Sequence, residues 1–360
     1  VRCNDKQACP FIQIWRFSAG AADEPEAVKA RRLATLAALV VSLVTAAPAI
    51  AEVTIQGRGI LFYTDDVGIF SATRRLSRDG DPTQPAIDSR LTNQGSDVVF
   101  EPDLNVATSL GNRFGTLELS AKGQGFVYTD HSRFNHGTLR LQALQALSPE
   151  TRLRLRFYYA PNLFLGENEN RQPGATGLVE ESVTSYIWSA RFEHMLTPDL
   201  EVRLSTRYGL RRYNEAFAQR NTDFWTVGPH FEWRAAPRVK IGVGYHYERG
   251  LADGRSQPQL EDDVSYVNHY GSADVEVELT ERLSFAAGFH YERNNWTSGI
   301  VGDERQGAHE NIFQGDAVFY YRWTEKMRMG LGVQRASRKE SFDASSVKNT
   351  NVGVGMEAAF

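Results

Sequence analysis

The sequence predicts an all-β fold, an antiparallel up-and-down barrel of about 14 strands, with 12 or 16 as the neighbouring alternatives. Three observations carry this. Apolar and polar residues alternate with a period of two along nearly the whole chain beyond Glu52. Tight turns recur about every 44 residues, and the stretches between them each contain a longer polar segment, so short and long connections alternate. The 360 residues are only 41% hydrophobic, with a mean hydropathy of -0.41, which excludes a polytopic helical membrane protein. The aromatic content (6 Trp, 14 Tyr and 20 Phe) excludes general disorder, and a formal charge of -4 leaves no basic footprint for nucleic acid.

The N-terminal region reads as a processing segment. Lys29, Arg31 and Arg32 precede an apolar run over 33–44, followed by Ala46, Ala47, Pro48, Ala49, Ile50 and Ala51. This pattern predicts a cleaved signal peptide over 28–51, cut between Ala51 and Glu52. Its apolar core is short for an uncleaved anchor. Residues 1–27 carry Cys3, Cys9, Trp15, Asp23, Glu24 and Glu26, which are foreign to a signal n-region. All four Met lie at Met195 or beyond, so Val28 is a candidate start and 1–27 is expected to be a non-native or dispensable extension. The remaining 52–360 is expected to be one exported barrel domain without cysteine. That excludes a disulfide scaffold, a Cys-ligated metal and a thiol nucleophile, and no cofactor is expected.

In chain order, strands are predicted at 53–63, 97–110, 113–128, 134–147, 151–160, 182–196, 199–212, 222–235, 238–249, 264–279, 282–293, 310–323, 326–336 and 347–360. Leu153, Leu155, Phe157 and Tyr159 alternate with Arg152, Arg154, Arg156 and Tyr158. Val239, Ile241, Val243, Tyr245 and Tyr247 alternate with Lys240, Gly242, Gly244, His246 and Glu248, and Val275 and Val277 with Asp274, Glu276 and Glu278. Segments 239–250 (VKIGVGYHYERG) and 283–294 (LSFAAGFHYERN) align residue for residue, which marks one hairpin as the repeating unit. Longer polar connections are expected at 73–96, 162–181, 214–221, 251–263, 294–307 and 339–346.

A soluble sandwich is the competing reading, and two features oppose it. Aromatics cluster near strand ends on the apolar face (Tyr186, Trp188, Trp225, Trp233, Tyr245, Tyr247, Phe289, Tyr291, Tyr321, Trp323), as in girdles at two membrane interfaces. So many long amphipathic strands would also leave sheet edges to protect, whereas closure removes them.

The last strand, 351–360, places Val352, Val354, Met356, Ala358 and Phe360 on one face and ends on an aromatic. It resembles the C-terminal strand of bacterial outer-membrane β-barrel proteins, the porin-like superfamily, and departs from their pattern at Ala358, where an aromatic is common. The resemblance implies a Gram-negative outer membrane as location, with the lipid bilayer and lipopolysaccharide as surroundings. It also implies an assembly machinery that reads Phe360.

A barrel of this size leaves an aqueous interior. The period places Arg152, Arg154, Arg156, Arg191, Arg203, Arg207 and Arg211, from three consecutive strands, on the inward face. Glu193 and Glu201 are their obvious partners, and Glu101, Asp103, Asp274, Glu276 and Glu278 form the inward acidic set. Such a lining is expected to select small hydrophilic or anionic solutes. A His-aromatic-Glu motif occurs three times, as His230 with Glu232, His246 with Glu248 and His290 with Glu292. The last two pairs are expected near the long-loop end, with a divalent metal or a pH gate as their functional reading and cross-wall hydrogen bonding as the plainer one. His131-Ser132 lacks an orienting acid and no phosphate loop or zinc-protease motif appears, so an enzyme is the least favoured class. A channel leads, with export of a polysaccharide or protein, or an envelope scaffold, as alternatives.

Overall fold

Alternation becomes strand at each position where the sequence places one. A computed structural model of the chain describes residues 53–68, 82, 85, 94–341 and 346–360; the expected signal peptide and the 1–27 extension lie outside them. Among the described residues the strands are β1 (Val53–Thr64), β2 (Asp97–Asn112), β3 (Gly115–Tyr128), β4 (His136–Ala146), β5 (Thr151–Glu169), β6 (Leu178–Thr197), β7 (Leu200–Tyr213), β8 (Thr222–Ala236), β9 (Val239–Ala252), β10 (Tyr266–Glu278), β11 (Leu283–Trp296), β12 (His309–Arg322), β13 (Met327–Glu340) and β14 (Ser346–Ala359). Each pairs antiparallel with the next, and β1 pairs with β14, so the sheet closes into a 14-strand barrel. At the seam Ile55 and Phe360 exchange backbone hydrogen bonds, and both ends of the closing pair lie at the short-turn end.

One expected loop is replaced by strand. The stretch 162–181 reads as a connection because Pro161 and Gly166 interrupt the alternation, yet β5 runs on to Glu169 and β6 begins at Leu178. Two register shifts absorb the irregularity, with Asn162 at φ 46° and Gly166 at φ 140°. Beyond them pairing resumes, and Leu163, Leu165 and Val183 form a small buried cluster against Tyr213. β9, β11 and β13 likewise extend three or four residues past their expected ends.

Candidate functional site

The two faces of the wall have opposite chemistry. Outward, the strands expose Leu204, Phe231, Val243, Phe289, Phe319, Leu331, Val354 and Met356, with Leu331 59% accessible. Inward, the buried side chains include Glu101, Glu193, Asn294, Glu310 and Gln314. A water-soluble fold would bury the first set and expose the second. No helix of the described residues is long and apolar enough to cross a membrane, but strands of 11 to 20 residues in a closed sheet span one. The chain is a β-barrel of the membrane-spanning kind.

Within the barrel, a cavity of about 530 Å³ is lined on one side by β3–β7 and on the other by β8–β12. Register sets the level of its basic wall: Gln142, Arg156, Ser189, Arg207, Thr226 and Glu248 lie in one row across β4–β9. Arg156, Arg191, Arg203, Arg207 and Arg211 all line the cavity, whereas Arg152 and Arg154 do not. Arg154 reaches Glu193 with Nε (2.7 Å) and a terminal nitrogen (3.3 Å), and Arg152 bridges Glu193 and Glu201 at 3.1 and 2.9 Å. Arg203 pairs with Glu201 and with Glu232 (2.8 Å). Arg211 donates to the Tyr266 hydroxyl (2.8 Å) with its guanidinium over the Phe224 ring. Arg156 donates to Gln142 Oε1 (2.6 Å), and Arg191 to Ser205 Oγ (3.1 Å).

Those pairings divide the arginines into two groups. Arg152, Arg154, Arg203 and Arg211 face carboxylates, as expected of charges paired across strands. Among the described residues Arg156, Arg191 and Arg207 have no carboxylate partner, and neither has Arg140 of β4. Arg140 is absent from the sequence-derived set although the period exposes it: Leu139 and Leu141 face lipid, so Thr138, Arg140 and Gln142 face the lumen. Lys122, Tyr158 and Asp316 are further lining residues that the same count identifies.

The acidic set is dispersed. Glu101 and Asp103 are held by Arg58 at 3.1 and 2.5 Å, and Lys122 meets Asp103 at 2.9 Å. Asp274 lines the main cavity. Glu276 lines a contiguous one of about 290 Å³ beside β1 and β12–β14, where Ile60, Phe62, Val318 and Tyr320 lie over Gly355, Gly353, Gly332 and Gly330. Glu278 is exposed at the short-turn end.

The histidines do not converge. His290 is held between the Tyr270 hydroxyl (2.8 Å, to Nδ1) and Asp316 (3.0 Å, to Nε2), while His246 stacks on the other side of Tyr270. Glu248 accepts from Tyr266 and Thr226, both at 2.6 Å; Glu232 belongs to Arg203; Glu292 is buried in the wall. Among the described residues no group of three or more His, Cys, Asp or Glu is placed to hold a metal ion. His246 and His290 sit at mid-strand rather than near the long-loop end, because β9 and β11 run further than the pattern suggests.

Above the lumen, the connections between strands are tied by buried ion pairs. Arg220 meets Asp262 (2.8 Å) and Glu181 (2.9 Å), and Arg305 meets Asp262 from the other side (3.0 Å). Burial alone would raise the Asp262 carboxyl, but Arg220, Arg305 and a hydrogen bond from Gln219 hold it below the usual carboxylate range. Pro82, from the β1–β2 connection, also lines the main cavity.

Solved structures with a similar fold include a bacterial polysaccharide outer membrane secretin (10% identity, TM-score 0.47, covering 85% of this chain and 98% of that one). The outer membrane channel DcaP of Acinetobacter baumannii (12%, 0.49, 87% and 99%) and an anion-selective porin from Comamonas acidovorans (10%, 0.43, 86% and 100%) are two others. No family model and no curated protein sequence matches the chain.

Proposed function

We propose that the barrel is an outer-membrane channel for small hydrophilic solutes with a preference for anions. One observation carries the reading: Arg140, Arg156, Arg191 and Arg207 line one side of a cavity inside a closed wall, and none has a carboxylate partner among the described residues. Their charge is available to a solute, and the low-dielectric wall focuses the field across the passage. The paired arginines contribute less, because their fields are cancelled locally by Glu193, Glu201, Glu232 and Glu248.

The test is current through planar bilayers containing the purified, refolded chain. Stepwise conductance is expected, with a reversal potential of anion-selective sign in a KCl gradient. Replacing Arg156, Arg191 and Arg207 together with Glu should reverse that sign, while Arg154→Gln, at a paired position, should leave it unchanged. Absence of any stepwise current would sink the channel and leave a conduit opened by a partner, or a scaffold, as the role of the fold. Conductance that is unchanged in His246→Gln and in His290→Gln would remove both from any gate.

A further inference from the structure

The lipid-facing surface is not symmetric around the barrel. On β1–β8 its upper charged residues carry both signs and pair: Arg212 with Asp223 at 2.7 Å, and Glu167 and Glu180 of the β5–β6 hairpin with Arg133 at 3.0 and 3.3 Å. On β9–β14 the outward positions contain no Asp or Glu at all, yet they hold Arg249, Arg293, Arg335, Lys339 and Lys348. All five lie in the half of their strand nearer the long loops, and among the described residues none is in an ion pair. Arg293 donates only to Asn295 (3.0 Å) and Arg335 to Thr350. Register brings them together: His269, Arg293, Asn311 and Lys339 form one outward row across β10–β13, Ser337 and Lys348 are paired, and Arg335 is paired with Thr350. At the short-turn end, the outward positions of the same strands are Val239, Val277, Leu283, Tyr321, Met327 and Ala358, with no cation.

A cation facing lipid is costly at the midplane and nearly free at the interface, so these side chains sit where a headgroup layer begins. Below them the surface continues without interruption into Phe289, Phe313, Leu331, Val333 and Val352, all exposed. A ligand that matches the whole patch is anionic at one end and apolar over the depth of a leaflet, and the anion must suit guanidinium forks and ammonium groups. We propose that the upper outward face of β9–β14 is a docking site for a phosphorylated, multiply acylated glycolipid of the outer leaflet, held by its phosphates. The acyl chains lie on the apolar residues beneath, and His269, with its Nδ1 2.7 Å from the Tyr245 hydroxyl, closes the row on the β9 side.

The inference is independent of the channel reading and is tested without current. The full chain, refolded in detergent, is titrated with bisphosphorylated hexa-acylated lipid A and the bound lipid is counted by native mass spectrometry. Wild type is expected to retain it. The quadruple variant Arg293→Gln, Arg335→Gln, Lys339→Gln, Lys348→Gln should bind at least about tenfold more weakly, because basic residues near a membrane surface attract anionic headgroups. Chemically dephosphorylated lipid A should lose as much on the wild type. Arg293→Lys with Arg335→Lys should keep most of the binding, and heat-modifiable gel mobility reports that each variant is a closed barrel. Equal binding by the quadruple variant, or equal binding of the dephosphorylated lipid, overturns the proposal. Displacement of lipid A by inorganic phosphate at matched concentration overturns it in favour of a simple anion site.

Discussion

Several aromatic side chains of the lumen lie flat against the wall, and glycine on the neighbouring strand makes room for them. Phe224 is the clearest case. A Cβ on Gly209 would lie 2.1 Å from its ring, and Arg211 stacks on Phe224 at 4.2 Å. Tyr266 lies over Gly250 and Phe62 over Gly353 in the same way. Gly209→Ala therefore has to lift Phe224, and with it the guanidinium that borders the cavity. Overpacking of this kind costs about 1–3 kcal/mol, to be read as an earlier midpoint in denaturant unfolding of the vesicle-inserted barrel. Gly271, on the lipid face with nothing within 4 Å of its Cβ position, is the control: Gly271→Ala should leave the midpoint nearly unchanged. Equal effects at the two positions would show that the aromatic stacking contributes nothing specific.

Among the elements, the transmembrane hairpins were legible in the sequence and the connections above them were not. Alternation survives wherever one face meets lipid and the other water, which is why each predicted strand has a counterpart and why Arg156, Arg191 and Arg207 could be assigned to the lumen from parity alone. It fails where both faces meet protein or water, as in β5 and β6 beyond Ala160, so their upper hairpin read as loop. Pairing was legible only by type: Glu193 and Glu201 were evident partners for the arginines, but which arginines they would neutralise depends on register and rotamer. The buried group formed by Arg220, Asp262, Arg305 and Glu181 unites residues far apart in sequence and had no local signature. It is expected to hold the β9–β10 connection. Asp262→Asn leaves two buried guanidiniums short of their shared carboxylate, a loss of about 3–5 kcal/mol for breaking a buried pair. Because the folded-state pKa of Asp262 is depressed, its contribution is complete above the ordinary carboxylate value near pH 4 and disappears as pH falls through the folded value. Amide exchange in 253–265 should therefore be constant from neutral pH to about 5 after correction for intrinsic rates and accelerate only below about 4. In Asp262→Asn it should be fast throughout; protection that persists in the variant would show that the connection is held by something else.

For the molecule as a whole, a mean hydropathy of -0.41 and an exterior of Leu, Val, Phe and Met are compatible because only alternate residues of each strand touch lipid. The consequence is that the cost of a charge depends on its depth on the outer wall as well as on its exposure. Leu331 and Arg335 test this within one strand. Both are exposed and both point outward on β13, but Leu331 pairs with Val354 in the apolar belt, whereas Arg335 pairs with Thr350 where the polar residues begin. Leu331→Arg should lower the stability of the bilayer-inserted barrel by about 2–4 kcal/mol, the range for a basic residue near the midplane, whereas Arg335→Leu should change it by much less. Unfolding in denaturant from phospholipid vesicles, followed by Trp fluorescence, measures both. In a detergent micelle, whose apolar phase deforms around a charge more readily than a bilayer does, the two values should move closer together. A Leu331→Arg barrel as stable as wild type in vesicles would mean that this part of the wall does not face hydrocarbon, and the depth assigned to the cations of β9–β14 would fall with it.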